Sequence, residues 1–126
     1  MSDQADEREG AYDLFQRGTR LLQEHHPGGA AVLLERALAL EPGKASILEA
    51  LGRAYFNGGQ LELAAERFRA IVTADPLAHY AHFGLGLAAR RLGDRAAAVR
   101  HLKMAAFLKP ENDDYRRALG RLGEVA

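Results

Sequence analysis

Pro42, Pro76 and Pro110 stand at a common spacing of 34 residues, and that interval constrains the fold of this chain more than any other feature. Gly18, Gly52 and Gly86 keep the same interval, as do Ala30, Ala64 and Ala98. Three kinds of position in one register divide the chain into windows 11–44, 45–78 and 79–112. A chain that repeats at such a period builds one supersecondary unit several times and buries its core between neighbouring copies.

Inside each window apolar residues recur at three and four, the helical period. In the middle window Ile47, Leu48, Leu51, Ala54 and Tyr55 mark a first helix, and Leu61, Ala64, Ala65, Phe68 and Ile71 mark a second. Asn57, Gly58 and Gly59 stop the first helix through their tolerance of left-handed backbone. Pro76 follows the second, because proline lacks an amide hydrogen and moves the preceding residue out of the helical region. The third window turns at Gly93 and Asp94, with Asp94 as N-cap. The first turns at His25 to Gly29, with Pro27 at or just before the second helix. Gly52 and Ala64 let the two backbones approach while Tyr55 and Phe68 fill the space beside them. The expected fold is all-α: seven helices, three antiparallel pairs and a seventh helix over 113–126 that caps the stack.

The cap continues the first-helix register, with Tyr115, Ala118, Leu119 and Leu122 on one stripe and Arg116, Arg117 and Arg121 around the other side. Residues 1–10 carry four acids, one Arg and no apolar stripe, so a disordered or frayed tail is expected there.

Seventeen basic side chains balance seventeen acidic ones in 126 residues. A domain of this size buries about two thirds of its unfolded surface, which is enough for a core without metal or disulfide staples. The chain has no cysteine. Zero net charge argues against a general nucleic-acid or membrane-surface binder, though it permits a local basic patch. No apolar run is long enough to span a bilayer and the start is acidic and polar, so a cytoplasmic protein is expected.

The inventory for catalysis is thin. The serines are Ser2, in the tail, and Ser46, near a helix start where it reads as a capping residue. His79 and His82 are three apart, a spacing that can offer two imidazoles to one metal ion, but no third ligand accompanies them. His82 takes the slot of Leu14 and Leu48 and reads as a packing residue; His25, His26 and His101 read as surface histidines. Asn57-Gly58-Gly59 follows a helix, and no Lys-Ser or Lys-Thr comes after it, so it is turn chemistry and no phosphate loop. No catalytic residue, metal or cofactor is expected.

With Leu51, Gly52, Tyr55, Ala64, Phe68 and Pro76, the middle window resembles the tetratricopeptide repeat. The third keeps Leu85, Gly86, Ala98 and Pro110 but has Ala89 and Leu102 for the aromatics. The first has Arg17 where the others have leucine, which suits an end repeat lacking a neighbour on one side. The resemblance implies a right-handed superhelix whose first helices line a concave face that binds peptide segments.

Carried onto this sequence, that face comprises Tyr12, Phe15 and Thr19 in the first unit. Glu49, Arg53, Phe56 and Asn57 follow in the second, Tyr80, Phe83, Leu87 and Arg90 in the third, and Arg117 and Arg121 in the cap. Tyr12 with Phe15 recurs as Tyr80 with Phe83, so aromatic pairs are expected to border both ends of the groove floor. Aromatic and Arg side chains are enriched in binding hot spots. Arg53, Arg90, Arg117 and Arg121 outnumber Glu49 and Asp114, which points to an acidic-hydrophobic ligand.

Family members that clamp the C-terminal carboxylate of heat-shock chaperones use Lys and Asn on the first unit, Asn on the second and Lys and Arg on the third. Here those positions hold Phe15, Thr19, Ala50, Tyr80 and Gly84, so that subtype is not expected. The expected function is a non-catalytic adaptor or chaperone-like module, monomeric, with a protein or peptide partner. The alternatives are an auxiliary part of a larger enzyme or secretion system, and a scaffold that self-assembles through an exposed flank of the first repeat.

Overall fold

The computed structural model describes residues 10–125, which form seven α-helices. They are α1 (Ala11–Gln23), α2 (Pro27–Leu40), α3 (Ala45–Asn57), α4 (Leu61–Ala74), α5 (His79–Leu92), α6 (Arg95–Leu108) and α7 (Asp113–Val125). The described residues contain no strand. Each helix packs mainly on its neighbours in sequence, α1 on α2, α3 on α4 and α5 on α6 within pairs, then α2 on α3, α4 on α5 and α6 on α7 between them. The acidic segment over 1–9 lies outside the described residues.

The prolines work as their chemistry requires. Glu41, Asp75 and Lys109, each just before one, have φ of −132°, −138° and −138°, and each ends a second helix. Turns within the pairs use three devices. Gly93 takes φ +84° and Asp94 Oδ1 accepts the Ala97 amide at 3.1 Å, so one turn joins a left-handed C-cap to an N-cap. After α3 only Gly59 is left-handed, at φ +81°; Asn57 stays in the helix and Gly58 keeps φ −84°. Before α2 the left-handed residue is His25, at φ +66°, and Pro27 opens the helix at its first position. The capping role expected of Ser46 is not found. Lys44 is the N-cap residue of α3, no side chain caps it, and Ser46 lies exposed one residue inside the helix.

Ala30, Ala64 and Ala98 are each fully buried where paired helices cross. A Cβ on Gly18, Gly52 or Gly86 would come within 2.7 Å of Leu34, 2.7 Å of Phe68 or 2.6 Å of Leu102, so these glycines set how closely each pair approaches. Leu51 and Leu85 are buried, whereas Arg17, in the same register, is exposed at the end of the stack. Between the first two pairs, the Tyr55 hydroxyl donates to the Glu35 carboxylate, and Arg67 Nη2 donates to the same oxygen at 2.9 Å. At the far end α7 buries Tyr115, Ala118 and Leu122, the last two in a cluster with Ala89, Ala98 and Leu102.

Candidate ligand groove

Helices α3 and α5 lie side by side, and a pocket of about 250 Å³ opens between them. Its walls are Glu49, Arg53 and Phe56 from α3 and Tyr80, Phe83, Gly84 and Leu87 from α5. Each set follows the three-and-four spacing that puts residues on one helical face. The floor is Phe68, from α4. Its ring enters where two backbones carry no side chain: a Cβ on Gly84 would lie 2.6 Å from it, and one on Gly52 2.7 Å. Phe68 thus touches its own partner helix and the first helix of the next pair, and what remains exposed of it forms an apolar base.

The walls are held from behind. Phe83 stacks on Tyr115 of α7 with ring centroids 4.6 Å apart, and the Tyr115 hydroxyl lies 2.7 Å from His79 Nδ1. The Arg91 guanidinium sits 5.2 Å from the Phe56 ring centroid, a cation–π contact at the rim. Burial first, then the charges of Glu49 and Asp75, raises the Tyr80 phenol above its ordinary value.

Six of the thirteen residues expected on this face therefore meet in one pocket: Glu49, Arg53, Phe56, Tyr80, Phe83 and Leu87. The others do not join them. Tyr12 and Phe15 line a separate hollow of about 220 Å³ with Lys44, Ser46 and Ile47, so the two aromatic pairs do not border one floor. Tyr12 is 71% exposed and accepts a hydrogen bond from Gln16 Nε2, while Phe15 packs on the buried Leu14, Ala37 and Ile47 cluster. The Thr19 hydroxyl donates to the Gln16 carbonyl of its own helix, and Asn57 lies exposed at the end of α3. Arg117 donates to Asp114 at 2.5 Å on its own helix. Arg90 and Arg121 line a third hollow, with Gly93, Arg95 and Leu122.

Two contributors were not apparent from the sequence: Phe68 as a floor and Arg95 beside Arg90. The signal for Phe68 was Gly84, which stands where the other windows have Gln16 and Ala50 and so leaves room for a ring.

His79 and His82 do not converge on a common point. His79 meets Tyr115, whereas His82 Nε2–H donates to the Pro76 carbonyl at 2.8 Å and its Nδ1 lies 3.1 Å from His101 Nδ1. A carbonyl only accepts, so His82 Nε2 carries the proton in that bond, and the two rings meet through their Nδ1 atoms. Burial, then His82, Arg100 and Arg69, lowers the His101 pKa. Among the described residues no group of three or more His, Asp or Glu could hold a metal ion, and no helix is long and apolar enough to cross a membrane.

The tetratricopeptide repeat family model matches residues 15–79 and 50–113, which together span most of the chain. The chain belongs to the tetratricopeptide repeat family. No curated protein matches it. Solved structures share its fold. The first TPR of Spaghetti (RPAP3) bound to HSP90 peptide SRMEEVD superposes with a TM-score of 0.86 at 16% identity, covering 91% of each chain. The Sgt2 TPR domain from Aspergillus fumigatus gives 0.85 at 24% identity, over 90% of this chain and 77% of that one. MamA from Desulfovibrio magneticus RS-1 gives 0.88 at 24% identity, over 94% and 67%. At these identities the likeness establishes the tetratricopeptide architecture of this chain.

Proposed function

We propose that this chain is a non-catalytic protein-interaction module, acting as a monomer in the cytoplasm, that holds an acidic-hydrophobic segment of a partner protein on the face of α3 and α5. The observation that carries the reading is the apolar pocket floored by Phe68, walled by Phe56, Tyr80, Phe83 and Leu87, with Arg53 at its edge. A concave apolar site with a few convergent polar groups is what an anchor side chain needs. The structure with peptide SRMEEVD gives a precedent for peptide binding on this fold. The ligand differs in kind from a clamped chaperone C-terminus, because Phe15, Thr19, Ala50, Tyr80 and Gly84 supply neither lysine nor asparagine at the clamp positions.

Apolar burial supplies the affinity, and exposed charge pairs, worth about 0–1 kcal/mol each, set specificity and association rate. The test uses a peptide selected on this protein from a random library. Phe83→Ala weakens it chiefly through faster dissociation. Arg53→Glu with Arg90→Glu slows association and flattens its salt dependence. A selected peptide that binds the charge-reversed protein as fast and as tightly as the original refutes the basic groove, and one insensitive to Phe83→Ala refutes the pocket.

A further inference from the structure

Beyond the apolar pocket, the hollow at the α5–α6 turn is bordered by three arginine side chains, Arg90 at the end of α5, Arg95 at the start of α6 and Arg121 on α7. Its volume is about 460 Å³, and Gly93 and Leu122 complete the lining. None of the three arginines has an ion pair or hydrogen-bond partner among the described residues, whereas Arg67, Arg116 and Arg117 are each matched to a carboxylate. Asp94 is the acid in the same turn, and its Oδ1 is engaged by the Ala97 amide as the cap of α6. An anion placed beside three unmatched cations is attracted by each of them. Guanidinium forks match the planar carboxylate in a bidentate way.

Position ties this hollow to the apolar pocket. Phe83, Leu87 and Arg90 follow one another at four and three along the same face of α5. The rise of an α-helix puts Arg90 about 10 Å beyond Phe83. We propose that the hollow of Arg90, Arg95 and Arg121 is a second recognition site, one that takes a pair of adjacent carboxylate side chains from the same partner segment whose apolar residue fills the pocket at Phe68. The inference rests on the proposed peptide-binding reading and adds a ruler to it. In an extended ligand the acidic pair lies about three residues from the anchor, since a strand advances about 3.3 Å per residue. Its direction along the chain is fixed by which of the two orders binds.

The experiment uses the whole chain and synthetic peptides carrying one Leu and a Glu-Glu pair separated by one to five serines, in both orders, with Gln-Gln counterparts and inorganic phosphate as controls. The readout is the Nε–Hε resonances of the arginines and the ring resonances of Phe56 and Phe83, followed by NMR. The expected result is saturable shifts at Arg90, Arg95 and Arg121 with Glu-Glu peptides, tightest near two intervening serines. The Gln-Gln peptides leave those resonances unmoved. Arg95→Gln with Arg121→Gln weakens the Glu-Glu peptide by about tenfold, the scale of a few exposed charge pairs, to the level of its Gln-Gln counterpart. Two exposed side chains are changed there, so the fold is kept, and an unchanged thermal melt verifies it.

Equal binding of Glu-Glu and Gln-Gln peptides, with Phe56 and Phe83 responding to both, overturns the second site and leaves the apolar pocket standing. Shifts spread equally over Arg20, Arg53 and Arg69 overturn it as diffuse electrostatics. Phosphate saturating the same arginines as tightly as the peptide overturns it in favour of a free-anion site. Shifts at the three arginines that are independent of spacing, with no response at Phe56 and Phe83, overturn the ruler and the groove reading together.

Discussion

The junction between α4 and α5 differs from the junctions on either side of it by an exchange of volume. Leu34, Phe68 and Leu102 occupy one register of the second helices, and Ala50, Gly84 and Ala118 occupy one register of the first helices that follow. Leu34 shares a buried cluster with Ala50, and Leu102 shares one with Ala118. In the middle the larger Phe68 meets the smaller Gly84, with no room for even a Cβ between them. The summed volume is roughly conserved while the shape changes, as close-packed interiors demand. That exchange does more than keep the packing, since it brings the buried aromatic ring to the base of the pocket between α3 and α5.

The contrast can be broken by substitution. Phe68→Ala removes the ring from both helices it touches and is expected to cost about 3–5 kcal/mol, measured by urea unfolding, and to empty the pocket of its base. A cost below that of Leu34→Ala would show that the ring is no more than ordinary filling. Gly84→Ala forces a methyl against the ring and is expected to cost about 1–3 kcal/mol. Combining it with Phe68→Leu reproduces the Leu34–Ala50 arrangement, so the double variant should be more stable than Gly84→Ala alone; strictly additive costs would disprove the exchange. Tyr55→Phe, which deletes the hydroxyl donated to Glu35, should cost about 1 kcal/mol and leave the Arg67–Glu35 pair in place.

The smallest expected effect is one of pH, and it separates the third pair from the middle one. His101 has a pKa below its ordinary 6.5, from burial first and then from His82, Arg100 and Arg69. The unfolded chain therefore binds its proton more readily than the folded one. The contribution is fully present above about pH 6.5 and is lost as the pH falls from there through the folded value. The groups facing this ring are His82 on α5, Arg100 on α6 and Arg69 on α4. Melting curves between pH 7.5 and pH 5 should show His101→Gln losing less stability on acidification than the original chain, and parallel curves would assign the acid sensitivity elsewhere.

Much of the fold is written in residues whose backbone chemistry is local. The three prolines announce extended residues before them, and Gly59 and Gly93 announce left-handed turns, because those preferences need no tertiary partner. The candidate site was less legible. Its helical faces follow from spacing, and six residues that share this face by register line one pocket. Which of them share a hollow depends on how far the stack carries each helix past the next, and no spacing along one chain encodes that. Tyr12 and Phe15 repeat the pattern of Tyr80 and Phe83, yet they face Lys44 and Ser46 at the end of the stack. Arg117 fits the same basic stripe as Arg121 but has Asp114 one turn before it and pairs locally. The contact of His82 with His101 joins residues that read separately as packing and surface.

The walls of the pocket belong to different structural units, α3 on one side and α5 on the other, while α4 supplies the floor. In a linear stack stability is the sum of what each unit holds within itself and what passes between nearest neighbours. An occupant of this pocket touches two units at once and acts as a clip across their boundary. At a ligand concentration a hundredfold above Kd such a clip contributes about 2.7 kcal/mol, all of it to the state in which both units are folded. Loading the pocket should thus make the two halves of the stack melt as one, which turns a recognition site into a control over how concertedly the chain comes apart.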